Sequence, residues 1–257
     1  HTAYRRQRQM CIRDRTRFVR SKEHDHRLLL AAITNGQEQI VRTLLAYGVD
    51  PFGEDNAAAV HAVRCGHVGI LWVLFGQLAR AGVTPASELD RLMLVAASAG
   101  RVEMVRAILR AWKHRDVPPS VYNNAFRLAA EGGHADVLRV LLKMPQKEGL
   151  DPSADENAAF RAAAANGHVN CLDVLIGVPR TRDNEALCVA AGKGHASVVE
   201  FLLRLPKGHG IDASVNDREA VAAACTNGNT AVTRVFCSAG PEAPSAACLA
   251  EMLKSPL

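Results

Sequence analysis

Four histidines, His67, His134, His168 and His195, each directly follow a glycine. An imidazole repeated in register could bind a metal through a ring nitrogen or move protons near neutral pH. Their spacing argues against shared chemistry. Whole repeats separate them, so neighbouring rings stand about 10 Å apart, whereas ligands to one zinc ion crowd within about 2.1 Å of it. The expected role is bracing of the turn that each glycine begins. His24-Asp25-His26 is a weaker cluster of the same kind. The seven cysteines, at 11, 65, 171, 188, 225, 237 and 248, contain no C-x-x-C pair, and an odd, scattered set reads as small buried hydrophobes in a reducing compartment. GKGHAS at 192–197 lacks the first glycine of a phosphate-binding loop, and neither a nucleophile elbow nor H-E-x-x-H occurs. The expectation is a protein with no catalytic residue, no cofactor and no metal.

The elements that carry these histidines are set by a recurring phrase: NGQEQIVRTLL, CGHVGILWVLF, AGRVEMVRAIL, GGHADVLRVLL, NGHVNCLDVLI, KGHASVVEFLL and NGNTAVTRVFC. Its glycines, at 36, 66, 100, 133, 167, 194 and 228, are spaced by 30, 34, 33, 34, 27 and 34 residues. Before each glycine, apolar or small residues fall at i, i+3, i+4 and i+7, as in Phe160, Ala163, Ala164 and Gly167, which is one stripe of a short helix. The glycine supplies the left-handed backbone that ends it. A second helix follows that is apolar nearly all round, as in Val137, Leu138, Val140, Leu141 and Leu142, and must be covered on several sides. Asn56, Asp90, Asn123, Asn157, Asn184 and Asp217 are expected to cap the first helices of repeats two to seven. One such pair buries too little apolar surface to offset its chain entropy, so each repeat must lean on the next.

The phrases LAAEGGHADVLRVLL (128–142) and VAAGKGHASVVEFLL (189–203) resemble the core of the ankyrin repeat. The likeness runs from about residue 24 to residue 240. It implies an all-α solenoid of about seven helix-turn-helix repeats. The family's Thr-Pro-Leu-His start is replaced by NAFR (124–127), AAFR (158–161) and EALC (185–188), with the neighbouring Asx residue expected to take over the capping. The resemblance further implies a protein-interaction scaffold whose partner meets the hairpin tips and the inner face of the first helices. On this chain those positions are the tip residues Phe52, Glu54, Asp55, Glu88, Tyr122, Asp155, Glu156 and Asp217, and Arg64, Ser98, Glu131, Asn166, Lys193 and Thr226 just before the glycines. The tips lean acidic, which suggests a basic protein partner. The rival reading is the substrate-targeting segment of a larger enzyme or effector whose catalytic domain lies outside this sequence. Trp72 stands where the other repeats carry Arg42, Arg106, Arg139, Asp173, Glu200 and Arg234. It is either an outward-facing interface anchor or a core residue tucked under GQLARAG.

The formal charge of +5 invites a nucleic-acid reading, but its location argues otherwise. Residues 1–20 hold seven arginines against Asp14, and the remainder carries 24 basic and 25 acidic residues. RRQRQMCIRDR, at 5–15, falls outside the repeat phase and back-translates without a break into a sequence resembling the adapter and transposon end of sequencing libraries. Residues 1–15 are therefore expected to be adapter-derived and disordered, 16–240 the repeat array, and 241–257 a closing helix or a truncated eighth repeat. The natural N-terminus is then expected to be missing. No apolar run approaches the length needed to span a bilayer. The expectation is an intracellular, cytoplasmic monomer that binds protein, with neither nucleic acid nor membrane as partner.

Overall fold

The computed structural model describes residues 22–51, 53–80, 86–112, 117–144, 149–178, 185–205 and 213–238. The expectations for residues 1–15 and 241–257 lie outside this set. Among the described residues every regular element is a helix, and fourteen follow in order: α1 (Lys22–Thr34), α2 (Glu38–Ala46), α3 (Gly53–Cys65), α4 (Val68–Arg80), α5 (Ala86–Ser98), α6 (Val102–Trp112), α7 (Pro119–Glu131), α8 (Ala135–Leu142), α9 (Ala154–Ala165), α10 (Val169–Ile176), α11 (Glu185–Lys193), α12 (Ala196–Leu203), α13 (Ala213–Thr226) and α14 (Thr230–Ser238). They form an all-α helical-repeat solenoid in two compact units, divided between Glu88 and Leu89 in the first turn of α5.

Each unit is built from the same helix pair. In the first, α1 packs on α3 and α2 on α4. In the second, the first helices α7, α9, α11 and α13 contact one another in sequence, and so do the second helices α6, α8, α10, α12 and α14. The residues that make this possible are small. Ala125, Ala129, Ala130, Ala163, Ala164, Ala190 and Ala191 are fully buried and let neighbouring first helices approach closely, while Phe126 and Phe160 fill the larger gaps. The second helices bury Val137, Leu138 and Leu141, or Val198, Val199 and Leu202, and leave only one narrow face outside.

The glycine turns close as the spacing predicts. Gly133 has φ of 78°; its N–H donates to the Ala130 carbonyl at 3.3 Å, and the His134 N–H donates to the Ala129 carbonyl at 2.8 Å. These are the two hydrogen bonds of a Schellman ending. The same pair recurs at glycines 36, 66, 100, 167, 194 and 228, all with positive φ.

The capping role expected of the Asx residues is corrected by the helix starts. Asn56, Asp90, Asn123 and Asp217 lie inside α3, α5, α7 and α13, because these helices begin several residues upstream. For α7 the start is Pro119, whose fixed φ suits a first helical position. From within its helix, Asn123 serves the following loop, its Oδ1 accepting the Asp151 N–H at 2.9 Å. Asn157 ends a run of three left-handed residues at the start of α9, where Asp155, Glu156 and Asn157 have φ of 51°, 54° and 64°. Asn184 lies outside the described residues.

Candidate functional site

The recurring histidines are committed to the stack. His134 Nε2 lies 3.0 Å from the carbonyl oxygen of Ser98, His168 Nε2 2.9 Å from that of Glu131, and His195 Nε2 2.8 Å from that of Ala165. In the first unit His67 Nε2 reaches the Thr34 carbonyl at 3.4 Å. A carbonyl only accepts, so each Nε2 carries the proton and donates. Every one of these bonds runs from one repeat to the end of the first helix in the repeat before it, where the last carbonyls lack helical partners. The last repeat uses an amide instead, with Asn229 Nδ2 donating to the Ala191 and Gly192 carbonyls at 2.8 and 2.9 Å. The rings also cover the glycines, since a Cβ on Gly133 or Gly167 would stand 2.7 or 2.8 Å from His168 or His195. Among the described residues no cluster of His, Cys, Asp or Glu is disposed to hold a metal ion.

The ladder fixes a row of exposed side chains. Ser98 and Glu131 give their carbonyls to the rungs, and their side chains are solvent-exposed, as are those of Asn166, Lys193 and Thr226 further along the second unit. Much of their polarity is already anchored to the helix beneath. Asn166 Nδ2 donates to the Ala162 carbonyl at 2.9 Å, Thr226 Oγ1 to that of Ala222 at 2.8 Å, and Glu131 pairs with Arg127 at 2.9 Å. Side chains tied down in this way lose less freedom when something binds them. Arg64 is exposed at the equivalent place in the first unit. Beside the row, Arg161 bridges two repeats, with Nη1 3.0 Å from Glu185 Oε2 and Nη2 donating to the Asp155 carbonyl at 3.1 Å.

The tip residues divide. Asp155 and Glu156 are exposed, Glu156 to 92% of its side chain. Glu88 is half-buried, and its Oε2 is enclosed with no partner among the described residues. Tyr122 is a correction: it sits within the first turn of α7 and is only 4% exposed, so it belongs to the core and not to a tip. Phe52 and the side chains of Glu54, Asp55 and Asp217 lie outside the described residues. Trp72 faces outward, 44% exposed, and meets the Phe75 ring edge-on at 5.8 Å. The reading that tucked it into the core does not hold.

Sequence reasoning treated the cysteines alike, and the structure separates them. Cys171 is fully buried and Cys237 exposed, with Cys65, Cys188 and Cys225 between, and none of the five is in a disulfide. Burial pushes the Cys171 thiol up to about 11, with the Arg139 guanidinium offsetting a smaller part. A surface recess of about 440 Å³ lies over the starts of α6 and α8, lined by Gly100, Val102, His134, Asp136 and Arg139 among others. Its one ion pair, Arg139 with Asp136 at 2.8 Å, is internal.

Glycine-ended helix pairs, joined by an imidazole or amide rung to the carbonyls of the pair before, define a helical-repeat protein. A family model for ankyrin repeats (3 copies) matches residues 92–183 and 160–246. The chain belongs to the ankyrin-repeat family. No curated protein matches it.

Proposed function

We propose that the chain is a protein-interaction scaffold whose second unit presents Ser98, Glu131, Asn166, Lys193 and Thr226, flanked by Asp155 and Glu156, to a protein partner. Repeats of this family generally serve as interaction modules. The observation that carries the reading to these residues is the ladder, which holds consecutive first-helix ends in fixed register and leaves their side chains exposed. The acidic pair Asp155 and Glu156 favours a basic partner. The scaffold acts as a monomer, and it acts without catalysis of its own, its recurrent imidazoles being spent on main-chain carbonyls. The five described cysteines form no disulfide, which suits a reducing, cytoplasmic setting. No described helix is long and apolar enough to cross a membrane.

Capture from a lysate of the source organism tests this. Residues 16–257 are compared with an E131A/N166A/K193A variant and with an R106A/R139A variant altered on the second helices. A specific protein lost by the first and kept by the second supports the proposal. Equal retention by both, or no protein above background, contradicts it.

A further inference from the structure

Asparagine followed by glycine is the dipeptide most prone to deamidation, because glycine, without a Cβ, leaves its N–H unhindered beside the asparagine side chain. It occurs at Asn35-Gly36, Asn166-Gly167 and Asn227-Gly228, each time across the turn that ends a first helix. In the folded chain the reacting groups of all three are engaged alike. The glycine N–H groups donate to the carbonyls of Ile33, Ala164 and Cys225, at 3.0, 3.3 and 3.1 Å. Each asparagine Nδ2 also donates once, to the Ala31 carbonyl at 2.9 Å, the Ala162 carbonyl at 2.9 Å or, across the stack, the Gly192 carbonyl at 3.0 Å. Reaction therefore proceeds from an opened turn, at a rate set by how often that turn opens.

The three turns differ in what straps them shut. His67 Nε2 donates to the Thr34 carbonyl, on the residue just before Asn35, and its ring lies over Gly36. His195 does the same for Ala165 and Gly167. Opening either turn must displace an imidazole of the next repeat. At the third turn no such ring bonds the Thr226 carbonyl or stands over Gly228 among the described residues. Asn227 and Gly228 are both exposed, whereas Gly36 and Gly167 are half-buried.

We propose that Asn227 is a deamidation site of the native protein, and that its conversion loosens α13 and α14 from α11. The Gly228 nitrogen gives its proton to hydroxide and attacks Asn227 Cγ. The new N–Cγ bond replaces the Cγ–Nδ2 bond, and ammonia leaves with a proton from water. Water then adds across one carbonyl of the five-membered imide, and the opened ring is aspartate or isoaspartate. Either product has a carboxylate, which carries no N–H for the Gly192 carbonyl. Two acceptors then face each other where α13 packs on α11. Isoaspartate also adds a methylene to the main chain, inside the turn that the Gly228 and Asn229 N–H groups close on Cys225 and Ala224. None of this depends on the row proposed above as a partner surface.

Peptide mapping by mass spectrometry tests the site on the full chain, incubated under mildly alkaline conditions with and without urea. For each asparagine, the rate in urea divided by the native rate measures protection by the fold. Protection is expected to be at least about fivefold lower at Asn227 than at Asn35 or Asn166, as the lack of one hydrogen-bonded strap implies. His195→Ala should bring Asn166 protection down to that of Asn227 while leaving Asn35 and the circular dichroism unchanged. Asn227→Asp should speed amide exchange along α13 and α14 about fivefold, with α8 unaffected. Protection at Asn227 equal to that at the other two overturns the site, and so does Asn166 protection unmoved by His195→Ala. Exchange unchanged by Asn227→Asp overturns the loosening.

Discussion

The imidazole of His168 lies across Gly133: a Cβ there would fall 2.7 Å from the ring, and the same ring donates to the Glu131 carbonyl oxygen 2.9 Å away. One glycine therefore answers two demands at once, a left-handed φ of 78° and room for the neighbouring repeat.

The two demands separate by substitution. Gly133→Ala should cost about 2 to 4 kcal/mol, from the left-handed conformation together with the clash against His168. Gly228→Ala has φ of 69° and nothing within 4 Å of its new methyl, so its cost should be about 1 kcal/mol. Urea unfolding of the two variants measures the difference, and equal losses would show that the rings do not crowd the glycines.

The rung itself is predicted to be interchangeable in kind. His168→Ala removes a donor from the Glu131 carbonyl and should cost about 1 kcal/mol. His168→Asn should recover roughly half of that, because Asn229 makes the equivalent bond with an amide. Equal stability of the two variants would refute a hydrogen-bonding role.

Asp155 holds a left-handed conformation with φ of 51° and gives only its carbonyl to Arg161. Asp155→Gly keeps that carbonyl and relieves the backbone. A gain of about 0.5 to 1 kcal/mol is expected in thermal or urea unfolding, and a loss of stability would contradict the strain.

Thiol reactivity should follow burial. At pH 8, Cys237 is exposed and should alkylate rapidly, whereas Cys171, raised to about 11, should react only when the second unit unfolds. The folded state favours the protonated thiol, so this contribution to stability is complete below the unfolded value of 9.0 and fades as pH rises towards 11. Mass spectrometry of native and urea-treated protein tests the order. Cys171 labelling at the Cys237 rate in native protein would contradict it.

The helix pairs were legible in the sequence because glycine and alanine act locally. A left-handed turn admits few other residues, and an i, i+3, i+4 stripe marks a buried face without knowledge of its partner. The histidines were readable as braces for the same reason, although their acceptors, the carbonyls two residues before the glycine of the preceding repeat, required coordinates. Helix starts were not legible. Asn123 looked like a cap, yet Pro119 begins α7 one turn earlier, and the amide turns out to hold the next loop at Asp151. The same shift carried Tyr122 from a supposed tip into the core. Trp72 was left open because aromatic residues serve both surfaces and cores, and its Phe75 contact partly shelters it without burying it.

The account's central claim is that the ladder-held row in the second unit is where a partner binds. Hydrogen-exchange or carboxyl footprinting of the chain with its captured partner measures this directly. The account predicts protection at Glu131, Asp155 and Glu156 and at the helix ends carrying Asn166 and Lys193, with little change along α8 and α10. Protection confined to the outward arginines of α6 and α8, with the row unaffected, would contradict it.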